Sequence, residues 1–171
     1  MNRLTIRQEE SSDHETIFNL VIDAFAGTEH CDGDEQELVE RLRKCAAFVP
    51  ELSLVAECDG KIVGHVMFIT IRVGGAIALC LAAVSVLPNF QKQGIGAALI
   101  VRGHTLAAEM GYDVCVLFGH PDYYSRFGYE RASEVGITIP FKAPDECVMV
   151  KFLTDEGRSI SGAAVFPPEF H

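Results

Sequence analysis

Apolar positions along the chain repeat with two different periods, and the changes between them mark out the elements. Residues 3–7 alternate and predict a first strand. Ile17, Leu20, Val21, Ala24 and Phe25 then recur at helical spacing, behind a Ser12-to-Glu15 capping box. Residues 26–33 are polar and Gly-containing and predict a loop. Asp34 is expected to cap a second helix, with Glu37 three residues on and Leu38, Leu42 and Cys45 or Ala46 on one face.

A meander follows. Ser53–Cys58 reads as a strand, Asp59-Gly60 as a two-residue hairpin turn and Lys61–Val73 as a long strand. Gly74-Gly75 marks another turn, and Ala76–Leu87 is apolar enough to be buried on both faces. A helix then starts after Gly94 and runs to about Met110, where Gly111 is placed to cap it in the left-handed conformation. Asp113–Gly119 predicts a strand, Pro121–Arg126 a short helix and Cys147–Leu153 a last strand. The tail, SISGAAVFPPEF, is expected to be irregular or extended. This order gives an α+β fold, with helices on both faces of one sheet. Residues 1–153 are read as one domain, with 154–171 as a C-terminal tail packed on it.

Composition narrows the function classes. A chain of 171 residues, 49% hydrophobic and 22% charged, matches an ordinary globular enzyme. No apolar run approaches the roughly 20 residues that span a bilayer, and the N-terminus has no apolar signal-peptide core. A cytoplasmic location, away from membranes, is the expectation. The six cysteines form no CxxC pair, and neither they nor the six histidines cluster at metal-ligand spacing, so no metal is expected. The net charge of −10 is concentrated at the start, where residues 1–60 carry fourteen acidic and five basic side chains. That distribution argues against nucleic acid, and reads either as solvated helix faces or as a field for a cationic small molecule or a basic peptide.

The densest chemical signal is Val84-Ser85-Val86-Leu87-Pro88-Asn89-Phe90-Gln91-Lys92-Gln93-Gly94-Ile95-Gly96-Ala97-Ala98-Leu99. An apolar strand ends at a proline, and two glycines then open a helix. Glycine lets backbone approach a ligand closely, and a helix start presents unpaired N–H groups and a positive dipole end. Together they bind phosphate. A Walker loop is excluded because GxxxxGK[ST] is absent. A dinucleotide site fits poorly: the third glycine is missing, and the acid expected at the end of the next strand is replaced by Gly119-His120.

The Q-x-x-G-x-G segment in this element order, followed about 30 residues later by Tyr124-Ser125-Arg126-Phe127-Gly128-Tyr129, resembles the GNAT acyl-CoA-dependent N-acetyltransferases. The resemblance covers residues 3–152. Gly64-His65-Val66, Tyr123–Tyr129 and Pro167–Phe170 are most similar to its YhbS-like subgroup. It implies a mostly antiparallel central sheet and an acetyl transfer from acetyl-CoA to an amine in a direct ternary complex. The acceptor would be a small-molecule or peptide amine, and a homodimer is admitted. The backbone of Val84, Ser85 and Val86 would run beside the pantetheine arm. Gln91, Lys92, Gln93, Gly94, Ile95, Gly96 and Ala97 would wrap the pyrophosphate, mostly through main-chain N–H groups. Tyr124 would protonate the departing thiolate.

The amine must lose a proton before attack, since an alkylammonium has a pKa of about 10. Some relatives place a glutamate in the fifth strand for this, but Val114–Phe118 is apolar. Glu29, His30, His65, His120 and a water chain remain open as the base. Arg126 is read either as a phosphate contact or as a cap of its own helix, Arg102 as a surface residue and Cys115 as a buried inert thiol. The reading that competes with catalysis is an acyl-CoA sensor or interaction domain without turnover.

Overall fold

The computed structural model describes residues 3–26 and 33–170. Nine strands build the central sheet: β1 Leu4–Gln8, β2 Phe48–Cys58, β3 Lys61–Val73, β4 Ala76–Val86, β5 Val114–Phe118, β6 Glu130–Arg131, β7 Ile137–Thr138, β8 Val148–Phe152 and β9 Gly162–Val165. Along the main path they run β1-β2-β3-β4-β5-β8-β6, with β9 beside both β3 and β7. Neighbours are antiparallel except β4 with β5 and β7 with β9. The mixed, mostly antiparallel sheet is the one expected.

Two helical layers cover it. α1 His14–Phe25 and α2 Glu35–Arg43 bury Ile17, Leu20, Val21, Val39 and Leu42 against Met67, Ile69 and Ile71 of β3. On the other face α3 Ile95–Glu109 packs Leu99, Ile100 and Ala107 on Leu54, Val66 and Phe68. From Val66 to Val73, odd and even residues of β3 therefore feed different cores, as the two-residue period of a strand requires. The short α4 is Pro121–Tyr124, continued by a 3-10 turn at Ser125–Phe127.

Several expectations shift. The capping box at the head of α1 joins Glu10 and Asp13, not Ser12 and Glu15, and a 3-10 turn at Ser11–Asp13 precedes the helix. The cause is Arg7, which pins the Asp13 carboxylate with two hydrogen bonds while the Glu10 N–H donates to the same group at 2.7 Å. β2 begins five residues earlier than expected, because a register shift between Phe48 and Ser53 accommodates Pro50 and Glu51. The tail is extended as β9, which pairs with Arg72 and Val73 beyond the point where β2 has ended. Among the described residues, no helix is long and apolar enough to cross a membrane, and no group of three or more His, Cys, Asp or Glu could hold a metal ion.

Candidate functional site

The site begins as a fault in the sheet. β3 and β4 pair residue for residue until Phe68 meets Leu81, and Met67 then meets Ala83. Ala82 is the extra residue of a β-bulge, which bends the strand that carries it. Past the bulge β4 stays on β3 through Val86 opposite Gly64, but it leaves β5, whose pairing is confined to Leu79 and Cys80. The outer edge of β4 beyond Leu81 thus faces open space with N–H and C=O groups that β5 does not pair, which an extended ligand can join as an added strand.

That edge runs straight into a phosphate-type cradle. A 3-10 turn at Pro88–Phe90 reverses the chain after β4. Lys92 and Gly94 then take left-handed φ values of 64° and 83°, and such turns aim successive N–H groups into one concavity. Gly94 is the N-cap of α3, and no side chain caps it. The first helical bond is from Ala98 N–H to the Gly94 carbonyl, so the amides of Ile95, Gly96 and Ala97 are left for an outside acceptor. Two glutamines brace the turn: Gln91 donates to the Val86 carbonyl at 3.0 Å and Gln93 to that of Asn89 at 3.3 Å.

Strand edge and helix start line one cleft of about 560 Å³. Nine of the ten residues expected to hold the cofactor border it: Val84, Ser85, Val86, Gln91, Lys92, Gly94, Ile95, Gly96 and Ala97. Gln93 does not, since its amide turns back to Asn89. Phe90, Tyr123 and Arg126 complete the wall. A larger groove of about 730 Å³ lies elsewhere, over Ile77, Met110 and Val165, and it contains none of these elements.

Of the two tyrosines of α4, Tyr123 borders the cleft and Tyr124, the expected proton donor, does not. Tyr123 lines the cleft, with its hydroxyl beside Gly96 and its ring under the Arg126 guanidinium at 4.5 Å. Arg126 Nε also donates to the Tyr123 carbonyl at 3.2 Å, so this cation both caps its helix and stands at the cleft. Tyr124 lies behind, half-buried, its ring edge-on to Tyr123 at 4.9 Å and packed on Gly119, where a β-carbon would collide with it. Burial, with the neighbouring Tyr123 as a lesser cause, pushes its phenol up to about 12. The Tyr124 phenol is therefore protonated near neutrality.

The candidates for a base separate clearly. Glu29 and His30 lie outside the described residues. His120 caps α4, its Nδ1 accepting the Asp122 N–H at 3.2 Å. Cys115 is buried and its thiol is pushed up to about 12 by that burial, so it stays an inert thiol. Arg102 is exposed on α3. His65 is fully buried, with Nε2 3.0 Å from Glu9 Oε1. The same carboxylate accepts from Ser53 at 2.5 Å and from Arg43 at 2.7 Å. Burial alone would raise the pKa of Glu9, but the hydrogen bonds from His65, Arg43 and Ser53 outweigh it and hold it at about 2. Glu9 and Ser53 carry no local motif, and only the pairing of strands brings them to His65.

Comparison with known proteins follows the same lines. A family model described as an acetyltransferase (GNAT) domain matches residues 5–132. The uncharacterized N-acetyltransferase YjhQ of Escherichia coli K12 is 30% identical over 170 residues, covering 95% of this chain and 91% of YjhQ. A crystal structure of the E. coli GNAT-family N-acetyltransferase YhbS in complex with CoA superposes with a TM-score of 0.90 at 27% identity, covering 99% of this chain and 93% of that one. A GNAT-family acetyltransferase from Brucella melitensis in complex with acetyl-CoA superposes with a TM-score of 0.81 at 30% identity, covering both chains completely.

Proposed function

The chain belongs to the GNAT family of acetyltransferases, and from that premise we propose that it carries an acetyl group from acetyl-CoA directly to an amine acceptor. One observation carries this reading: the free edge of β4 and the uncapped start of α3 line one cleft. A single ligand that is extended at one end and doubly anionic in the middle matches both. The complexes of the Brucella enzyme with acetyl-CoA and of YhbS with CoA support the same choice of ligand.

In this reading Val84, Ser85 and Val86 hold the pantetheine arm through main-chain hydrogen bonds. The amides of Lys92 to Ala97 take the pyrophosphate, with the Lys92 ammonium and the Arg126 guanidinium adding charge at the rim. A strand N–H polarises the thioester carbonyl and stabilises the oxyanion that forms on attack. Tyr124, kept protonated by burial, gives a proton to the leaving thiolate. Direct transfer is supported by Cys115, the one cysteine on β5, which is sealed in the core with its thiol protonated and so is no acyl carrier. The acceptor is a cation: α1 and α2 carry Glu15, Asp23, Glu35, Glu37 and Glu40, a field that draws an ammonium group.

Two measurements test this. Titration calorimetry should show saturable binding of acetyl-CoA and CoA and none of NAD. Thiol release from acetyl-CoA should then accelerate with members of a primary-amine panel of polyamines, amino-acid amides and lysine peptides. Binding of NAD in place of acetyl-CoA would overturn the reading, and so would acetyl-CoA binding without transfer to any of the panel.

A further inference from the structure

Among the described residues, two buried side-chain polar atoms have no hydrogen-bond partner, His65 Nδ1 and Ser85 Oγ. They belong to residues that stand opposite each other in the register of β3 and β4. Directly opposed residues share a face and hold their side chains about 5 Å apart. The sharing depends on the bulge. Before it, Leu79 and Leu81 face α3, and regular alternation would send Ser85 the same way. The extra residue at Ala82 reverses the alternation, so Ser85 shares the α1–α2 face with His65 while still bordering the cleft.

An unsatisfied buried polar group costs stability, and two in apposition need an explanation. The protonation states supply one. Glu9 is ionised and can only accept, so the hydrogen between it and His65 sits on His65 Nε2. His65 Nδ1 is then a bare lone pair directed away from Glu9. The imidazole is surrounded by Glu9 after β1, His14 on α1, Arg43 on α2, Ser53 on β2 and Ser85 on β4. Burial lowers its pKa, against the hydrogen bond and charge of Glu9, and the neighbouring Arg43 adds a lesser push the same way. It therefore stays neutral through the neutral range, with the Nδ1 lone pair open to a proton.

We infer that His65, oriented by Glu9, takes the proton of the acceptor ammonium through Ser85 Oγ. This rests on the acetyltransferase reading above and supplies the base that reading lacks. The ammonium N–H proton passes to Ser85 Oγ while the Ser85 hydroxyl proton passes to His65 Nδ1. The freed nitrogen lone pair forms the C–N bond at the thioester carbonyl, and the C–S bond breaks when the tetrahedral adduct collapses. The second proton of the amine replaces the one Tyr124 gives to the thiolate. Amide and free thiol result, and the proton held by the Glu9–His65 pair returns to solvent on product release. Ser85 touches the reacting groups, while His65 acts behind it and Glu9 is a positioning residue.

The test uses the full chain, acetyl-CoA and the amine of the panel that the wild type acetylates fastest. His65→Gln retains a donor toward Glu9 but has no base. It should bind acetyl-CoA as the wild type does, lower kcat/KM at pH 7 about 10²-fold, and recover activity at alkaline pH, where the amine is already free. Ser85→Ala should show the same recovery, and Ser85→Thr, which restores the hydroxyl, should regain most of the rate at pH 7. Should His65→Gln prove unfolded, Ser85→Ala and histidine ¹⁵N spectra of the wild type decide the matter, the latter expected to show the Nε2–H tautomer. Wild-type pH profiles in both variants, or an Nδ1–H tautomer, would overturn the relay and leave the acetyltransferase reading intact. Absence of acetyl-CoA binding by the wild type, or binding without transfer to the panel, removes that reading and the relay with it.

Discussion

The hydroxyl of Tyr123 stands 3.2 Å from the position a β-carbon would take on Gly96, with a Val86 methyl at 3.6 Å on the other side. This glycine is required by what faces it, because its φ is ordinary helix. Gly94, two residues earlier, is the reverse case: its φ of 83° is left-handed, and nothing lies within 4 Å of an added β-carbon.

Gly96→Ala should therefore leave the fold intact and narrow the cleft between Tyr123 and the helix amides. We expect acetyl-CoA affinity to fall about tenfold, equivalent to about 1.4 kcal/mol, with little change in melting temperature. Gly94→Ala should instead cost about 1 kcal/mol of stability or more through backbone strain and disturb the same amides. Calorimetric titration and thermal unfolding of the two variants separate crowding from strain. Equal losses of affinity and stability in both would show that the distinction is mistaken.

The tyrosine pair offers a second separation. Tyr123 lines the cleft and Tyr124 lies behind it with a phenol held protonated near pKa about 12. Tyr123→Phe should raise the KM for acetyl-CoA a few-fold and leave kcat nearly unchanged, since it removes one hydroxyl from the wall. Tyr124→Phe should lower kcat by about 10²-fold while acetyl-CoA still binds. If steady-state kinetics assigned the kcat loss to Tyr123, the thiolate donor would be the tyrosine at the cleft surface.

Most of the scaffold was legible because it is local. The hairpin Asp59-Gly60, the strand Lys61–Val73 and the helix that stops ahead of Gly111 all write their period and punctuation within one short stretch of chain. The cradle at Gln91–Ala97 was legible for the same reason. What escaped depends on distant partners. β6 and β7 have two residues each, too few for any period. The start of β2 was hidden by Pro50 and Glu51, which a register shift tolerates. The cap of α1 moved because Arg7 on β1 captures Asp13. Glu9, His65 and Ser85 meet only because three strand registers and one bulged alanine bring them to one face, and no spacing along the chain records that.

Packing around α3 gives a prediction about stability alone. Gly103 faces Phe68 so closely that a β-carbon would overlap the ring at Cε2 and Cζ. Phe68 is fully buried and cannot swing away. Gly103→Ala would add helix propensity in an exposed helix, but here overpacking should dominate and destabilise by about 1–3 kcal/mol. For a chain of this length that lowers the melting temperature by about 2–4 °C per kcal/mol. A rise in melting temperature would mean that Phe68 has room to move.

Buried histidines set the acid limit of the fold. His104 is 7% exposed, and its Nε2 lies 2.8 Å from the Tyr129 hydroxyl. Burial, with the charge of Lys151 as a lesser cause, lowers its pKa to about 4. His65 is shifted the same way. In the unfolded chain both take up protons near the usual histidine pKa of about 6.5. Between that value and the folded His104 value of about 4 the unfolded state therefore binds more protons than the folded one, and stability must fall as pH falls. The slope is at most about 1.4 kcal/mol per pH unit for each histidine. Glu9 adds a further loss as pH drops below its unfolded value toward the folded value of about 2. Urea midpoints should thus be flat from pH 8 to about 6.5 and decline steadily below it. His104→Gln, which keeps a partner for Tyr129 but does not titrate, should reduce the slope between pH 6.5 and 4. A wild-type midpoint that stays constant over that interval would show that both imidazoles accept a proton in the folded protein.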